Sequence, residues 1–263
     1  MEKLGSRLDE YFPEDPETLF TIPRYQRGYS WKKDHVTDFL NDIEERMSDN
    51  EDHYYGTFFS RTSSNKKEII DGQQRITTVI LYFIGCRDFL THKLSEINDP
   101  ADKANTINYI KKLDKILTPS DNSEPRILKV GKINEDLFDR LYSYDDPDSK
   151  KTKNKDLESD SDENLMTAYK EIIQRLETDS YESTKSKKLK PKFWEGIASH
   201  FKALLKQFRA QELTADSMSR AFKIFETIND RGEPLAQSDL IKNYFFSELA
   251  DTGLNDGDLD KLD

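Results

Sequence analysis

The chain has 263 residues, and its 40 Lys and Arg against 51 Asp and Glu give a formal net charge of −11. This balance excludes the basic surface of a histone-like or ribosomal protein. A mean hydropathy of −0.86 together with 11% aromatic residues is typical of a folded chain that carries charged, solvated segments.

The sequence contains no segment that predicts a membrane span or a secretory signal. The apolar run 76–86 is shorter than the roughly 20 residues that a spanning helix needs. Residues 1–5 lack the apolar stretch of a signal peptide, and the single cysteine, Cys86, has no partner for an internal disulfide. We therefore expect a cytoplasmic protein that does not bind membranes.

The first 95 residues alternate between extended and helical patterns. Residues 19–23 favour a strand, and 53–60 with 67–70 favour a β-hairpin around the polar loop 61–65. Apolar residues on one helical face between Val36 and Met47 predict a helix. A second helix follows the hairpin and is apolar on more than one face, so we expect it to be buried.

Helical patterns dominate the rest of the chain, interrupted by a mixed-charge linker at 143–162 that we expect to be mobile. Further helices are predicted near 107–117, 137–141, 165–176, 193–208, 218–225 and 240–245. The predicted fold class is α+β, with a small mixed sheet from residues 15–95 and a mainly helical second region. The predicted parts are a core with the hairpin at 1–95, a helical region with the charged linker at 96–215 and returning helices at 216–263.

The first motif is Asp71-Gly72-Gln73-Gln74-Arg75, where a strand passes through a glycine into a helix. A helix start offers unpaired backbone N–H groups and the positive end of the helix dipole, and an arginine there can pair with two phosphate oxygens. The alternative is an ordinary Asp-Gly turn, in which Arg75 pairs with an acid such as Asp71.

The second motif, Ile22 to Trp31, interleaves aromatic residues with Arg24, Gln26 and Arg27. Such a mixture can stack bases, hold phosphates and read a base edge. The alternative is an aromatic plug that docks a loop onto the core, with Ser30 capping the next helix.

The third motif, Phe225 to Leu235, contains Asn229, Asp230, Arg231 and Gly232 between two predicted helices. Arg231 could clamp a ligand there, or the segment is a plain helical connection that ends at Gly232. The four histidines lack the spacing of metal ligands, and Cys86 is expected to serve packing.

Together the three motifs resemble the N-terminal domain of the GmrSD-type, modification-dependent restriction enzymes, which has a ParB/sulfiredoxin-like core. The matching blocks are Ile22 to Trp31, Asp71 to Thr78 and Phe225 to Lys242, in the order that the family has them. The resemblance therefore spans nearly the whole chain, with residues 95–215 poorly matched.

The resemblance implies that the loop at Asp71, Gly72, Gln73, Gln74 and Arg75 binds and hydrolyses a nucleoside triphosphate. We expect Asp71 and Arg75 to be catalytic, Asn229 and Arg231 to complete the nucleotide site, and Mg²⁺ to accompany the phosphates. Metal ligands cannot be assigned. The resemblance also implies that Tyr25, Gln26 and Arg27 contact DNA, because this block is associated with modification sensing in a relative that senses phosphorothioate DNA.

The predicted function is an NTP-dependent sensor of modified or foreign DNA in anti-phage restriction. A C-terminal or separate nuclease domain is the expected partner, and homo-oligomerisation is left open. We do not expect an HNH nuclease site, because the four histidines are scattered. The alternatives are a non-catalytic DNA- or nucleotide-binding scaffold, and a domain that is itself a nuclease by another mechanism.

Overall fold

A computed structural model of the protein describes residues 5–24, 26–49, 51–63, 66–120, 126–143, 157, 159–183 and 188–215. Tyr25 and the whole of 216–263, which includes Asn229 and Arg231, lie outside the described residues.

The described residues form six strands and seven α-helices. The strands are β1 (Ser6–Arg7), β2 (Leu19–Thr21), β3 (His53–Ser63), β4 (Lys66–Asp71), β5 (Leu128–Lys129) and β6 (Phe208–Ala215). The helices are α1 (Leu8–Tyr11), α2 (Lys33–Asp49), α3 (Gln73–Lys93), α4 (Pro100–Leu117), α5 (Glu135–Tyr142), α6 (Asp160–Ser180) and α7 (Phe193–Gln207).

One mixed sheet contains all six strands in the order β1-β6-β3-β4-β2-β5. The β3/β6, β2/β4 and β2/β5 pairs are parallel, whereas β3/β4 and β1/β6 are antiparallel. The predicted α+β class with a mixed sheet is therefore confirmed. The ParB-like type of this sheet stays a prediction.

The sheet is not confined to residues 15–95, and in this respect the prediction was wrong. β6 pairs with β3 in parallel from His53 opposite Phe208 to Arg61 opposite Ala215, which places it inside the sheet. Phe208, which we had assigned to the end of a helix, is instead the first residue of this strand. Phe208 and Ala210 are buried and Gln211 is exposed, as in a strand with one covered face.

The predicted β-hairpin is present, but its strands are longer than expected. β3 continues to Ser63 and β4 begins at Lys66, so Arg61 to Ser63 pair with Lys66 to Glu68 instead of forming a loop. Side chains support this extension, because the Arg61 guanidinium donates to the Glu68 carboxylate directly across the pair.

Helix α3 is the centre of the hydrophobic core, as its apolar pattern predicted. Of its 21 residues 18 are buried, and it packs against both α4 and α6. Such a helix has a fixed orientation, so the residues of its first turn are positioned by the whole core.

The end of the predicted linker is folded, contrary to expectation. The Ser159 hydroxyl accepts a hydrogen bond from the Asp162 N–H and caps α6, which begins at Asp160. Asp162 is 6% exposed and accepts a hydrogen bond from the Asn134 amide at 2.8 Å. The carboxylate of Asp162 is therefore buried with a hydrogen-bond donor, which holds this part of the segment in place. Residues 144–156 and 158 lie outside the described residues, and their mobility stays a prediction.

Within the described ranges, the search for a helix both long and apolar enough to cross a bilayer found none.

Candidate functional site

The loop between β2 and α2 lies against the first turn of α3. The Gln74 side chain joins the two, because its Oε1 accepts from the Ser30 N–H at 2.8 Å and its Nε2 donates to the Gly28 carbonyl at 3.3 Å. Ser30 does not cap α2, which begins at Lys33. Two of the sequence motifs are therefore in direct contact, as a shared cleft requires.

Gln26 is also part of this contact. It is 8% exposed, and its Nε2 donates to the carbonyl oxygen of Ile70 at 2.8 Å. Its amide N–H thus stabilises the loop against β4, while the neighbouring Arg27 is exposed.

Tyr29 anchors the far end of the loop. Its hydroxyl lies 2.8 Å from the Thr78 hydroxyl, and its backbone N–H donates to the Asn134 side chain at 2.8 Å. Burial raises the pKa of the Tyr29 phenol far above its ordinary value, so the group is neutral at physiological pH. The aromatic residues of this motif therefore include at least one that is structural.

A pocket of about 20 Å³ lies between this loop, the start of α3 and the turn at 130–134. Its lining includes Gln26, Arg27, Gln73, Gln74 and Asn134. This volume holds about one water molecule, so a group the size of a phosphate oxygen fits and a whole nucleotide does not.

Helix α3 begins at this pocket, and no side chain caps its first turn. Gly72, at the N-cap, has the left-handed φ of 86°, and no side chain accepts a hydrogen bond at this cap. A Cβ at Gly72 would lie 2.6 Å from Phe58 Cβ, so only glycine permits this close approach of turn and sheet. The unpaired N–H groups of a helix start bind anions readily.

Gln73 is the least expected feature of the pocket. The residue as a whole is 8% exposed, and its amide lines the pocket without a hydrogen-bond partner within the described ranges. Buried polar groups almost always have a partner, in the protein or in solvent. An amide that lines a pocket beside an uncapped helix start is therefore available to a ligand.

The two arginines near the helix start have different positions. Arg27 lines the pocket, and it forms no ion pair with any residue that the structure describes. Arg75 lies on the other side of α3. At about 100° per residue, it is roughly 150° around the helix from the mean direction of the pocket-lining residues Gln73, Gln74 and Thr77. Its Nη1 donates to the Thr57 carbonyl at 2.9 Å, and a Cβ at Gly56 would lie 2.9 Å from its Nε.

The alternative that Arg75 pairs with Asp71 is not seen among the described residues. Arg75 has no carboxylate within ion-pair distance there, so its positive charge is not neutralised by an acid. Three other cationic side chains in the first 70 residues do form ion pairs with acids. The pairs are Lys33 with Glu171, Arg61 with Glu68, and Lys67 with Glu212.

Comparison with known protein families places the chain in the DNA restriction systems. Residues 8–246 match the family described as GmrSD restriction endonuclease, N-terminal domain. Because this match covers most of the sequence, the chain belongs to that family. Its role is therefore in a restriction system that acts on DNA. Comparison with curated proteins gives no match.

Sequence reasoning missed the wall of the pocket that comes from the middle of the chain. Ser161 donates to both the Tyr29 carbonyl and Asn134 Oδ1, so the start of α6 closes the site. A polar residue in a poorly matched, charge-rich segment gives no signal of such a contact.

A second cluster was also missed, at the far end of α6. Glu44, Asp179 and His200 present ligand atoms that all lie within 4.8 Å of one another. The histidine spacing could not reveal it, because the three residues belong to three different helices.

Proposed function

We propose that this domain binds a nucleoside triphosphate at the start of α3 and senses modified or foreign DNA for the restriction system. The observation that carries the proposal is the Gln73 side-chain amide, which makes no hydrogen bond within the described part of the chain and lines the pocket at an uncapped helix start. A phosphate oxygen in the pocket would accept hydrogen bonds from this amide and from the backbone N–H groups of the first turn.

Two arginines supply positive charge on opposite sides of the helix start. Arg27 reaches the phosphates from the pocket, and Arg75 from the strand side, where the described structure uses only one of its five N–H groups. Since the pocket admits only about one oxygen-sized group, the sugar and base lie outside it. Asn229 and Arg231, from the third motif, complete the site in this proposal.

Asp71 is the carboxylate closest in sequence to the phosphate site, at the end of β4. One carboxylate combined with phosphate oxygens is the donor set that Mg²⁺ favours in nucleotide sites, and the bound ion would neutralise phosphate charge. Asp71 then has the role of holding that ion or orienting the attacking water.

Contact with DNA is assigned to the exposed side of the same loop. Arg27 is exposed and extends from a loop that Gln26 and Gln74 fix to the core, so a DNA phosphate can reach it without rearrangement. In the proposal Tyr25 adds the sensing contact, and Gln26 contributes only its Oε1, because its Nε2 donates to the Ile70 carbonyl. DNA binding and nucleotide binding would thus be coupled through one loop.

Calorimetric titration of ATP and GTP, each with Mg²⁺, tests the nucleotide site. The wild type should bind one of them, whereas Gln73→Leu and Arg27→Ala should bind about tenfold to a hundredfold more weakly, as for loss of one charged-group hydrogen bond. Gln211→Leu, on an exposed position of β6, is the matched control and should bind as the wild type does. Equal nucleotide affinity in all four proteins would contradict the proposed nucleotide site.

Phosphate release, measured on the same proteins, separates a hydrolase from a scaffold. Asp71→Asn should retain nucleotide binding and lose turnover if Asp71 is catalytic. Binding without turnover in the wild type would support the scaffold alternative instead.

A further inference from the structure

We propose that Glu44, Asp179 and His200 form a binding site for a divalent transition-metal ion, with Zn²⁺ as the best-matched ion, which fastens α2, α6 and α7 together. The site is separate from the proposed nucleotide site, and it needs none of that site's residues.

The ligand set matches this class of ion. Imidazole nitrogen is a ligand of zinc and its neighbours in the first transition row, whereas magnesium and calcium prefer oxygen alone. Three protein ligands with a water in the fourth position are a common zinc arrangement. Glu44, with a side chain that is 43% exposed, leaves the site open to that water.

The distances require only small side-chain movements. The three ligand atoms lie within 4.8 Å of one another, and tetrahedral bonds of about 2.0–2.1 Å need separations of roughly 3.4 Å. Each side chain has to shift by about 1 Å toward the centre, which rotation about its χ angles provides. The three helices already contact one another, so the backbone need not move.

An unpartnered carboxylate oxygen is a second observation that favours a cation at this place. Asp179 Oδ2 is buried and has no hydrogen-bond partner within the described ranges. A buried carboxylate oxygen without a donor is unfavourable, and a metal ion bound there would remove that penalty.

Among the described residues, Arg175 and Lys190 are positive groups close to the cluster, and Lys190 Nζ donates to the backbone carbonyl of Asp179 at 2.7 Å. The Arg175 guanidinium pairs with Glu44 Oε1 and also donates to Asn41 Oδ1 at 2.9 Å. When a metal ion takes Glu44, Arg175 keeps its bond to Asn41 and stays on the surface. The competition predicts an affinity that rises when Arg175 loses its charge.

The location indicates a structural role. Ser161 contacts Tyr29 and Asn134, which line the proposed nucleotide pocket, and Asp179 lies 18 residues further along α6, which corresponds to about 27 Å of helix. A metal ion at this end would hold the orientation of the helix whose other end forms the pocket wall.

The test is a zinc titration of the full chain after removal of metal by a chelator. The wild type should bind one Zn²⁺, and saturating zinc should raise its melting temperature by about 5 °C. Asp179→Asn and His200→Gln should bind at least about tenfold more weakly and lose the thermal shift. Arg175→Gln should bind more tightly, and His92→Gln, which removes an exposed histidine, should match the wild type.

Equal zinc affinity in wild type, Asp179→Asn and His200→Gln would overturn the proposal, as would the absence of binding. If the ligand variants do not fold without metal, X-ray absorption of the zinc-loaded wild type decides. One nitrogen ligand from imidazole among oxygen ligands supports the site, and a spectrum without imidazole contradicts it.

Discussion

The side-chain amide of Gln26 donates to the carbonyl oxygen of Ile70 across 2.8 Å, and both groups are buried. This one hydrogen bond links the loop after β2 to the strand that leads into the turn at Gly72. The Gln26 N–H that we expected to read DNA is therefore occupied by the protein itself.

Gln26→Leu should reduce the free energy of unfolding by about 1–3 kcal/mol, because it leaves a buried carbonyl without a partner. Urea unfolding measures this change, with the exposed Gln211→Leu as a control that should differ from wild type by less than about 0.5 kcal/mol. Unchanged stability in Gln26→Leu would mean that the loop is not held by this bond.

Gly72→Ala should destabilise the protein by more than about 2 kcal/mol. The substitution adds a Cβ to a residue with φ of 86° and places it 2.6 Å from Phe58 Cβ, so backbone strain and a clash add together. Gly196→Ala is the matched control, since a Cβ at that position on α7 meets nothing within 4 Å. There alanine should stabilise the helix by about 0.5–1 kcal/mol, and similar losses in both variants would refute the assigned role of Gly72.

The buried ion pair in α3 should matter far more than an exposed pair. The Arg87 guanidinium donates twice to Asp88 Oδ1, and the Tyr169 hydroxyl donates to Asp88 Oδ2 at 2.8 Å. Asp88→Ala leaves a buried guanidinium without its carboxylate and should cost about 3–5 kcal/mol.

The control for that variant is Glu171→Gln, which breaks the pair with Lys33, a residue whose side chain is 60% exposed. Its effect should be at most about 1 kcal/mol. Chemical denaturation of both proteins compares them, and equal losses would contradict the buried arrangement.

Cys86 should be inert in the folded protein. Burial raises the pKa of its thiol to about 12, so almost no thiolate exists at pH 8, and the side chain is inaccessible. A thiol reagent such as Ellman's reagent should react with the native protein only as fast as it unfolds, and immediately in urea. Rapid labelling of the native protein would show that α3 opens locally.

The helices of this fold follow from the sequence because their apolar periodicity is local. Val36, Phe39, Leu40 and Ile43 are all buried, as their spacing predicted, whereas Met47, the last residue of the same predicted face, is exposed. β6 was missed because a strand that pairs with residues about 150 positions earlier has no local partner to reveal it. Only the first residue of β6, Phe208, was assigned to a helix, because Phe208 continues the apolar spacing of α7.

The candidate site was only partly predictable for the same reason. The strand-to-helix turn at Gly72 is a local pattern, and the structure contains it. Other features of the site depend on contacts between segments that are distant in the sequence. These features are the hydrogen bond that joins Gln74 to the loop between β2 and α2, the contact of Arg75 with β3, and the position of Asn134 in the pocket wall. Glu44, Asp179 and His200 come together for the same reason, through the packing of three helices.

A crystal structure of the domain with a non-hydrolysable nucleoside triphosphate and Mg²⁺ tests the central claim most directly. We predict that a phosphate oxygen lies within about 3 Å of the backbone N–H groups at the start of α3, with the Gln73 amide and the Arg27 guanidinium also in contact. A nucleotide bound elsewhere, with Gln73 still unpartnered and Arg27 free of phosphate, would contradict the account.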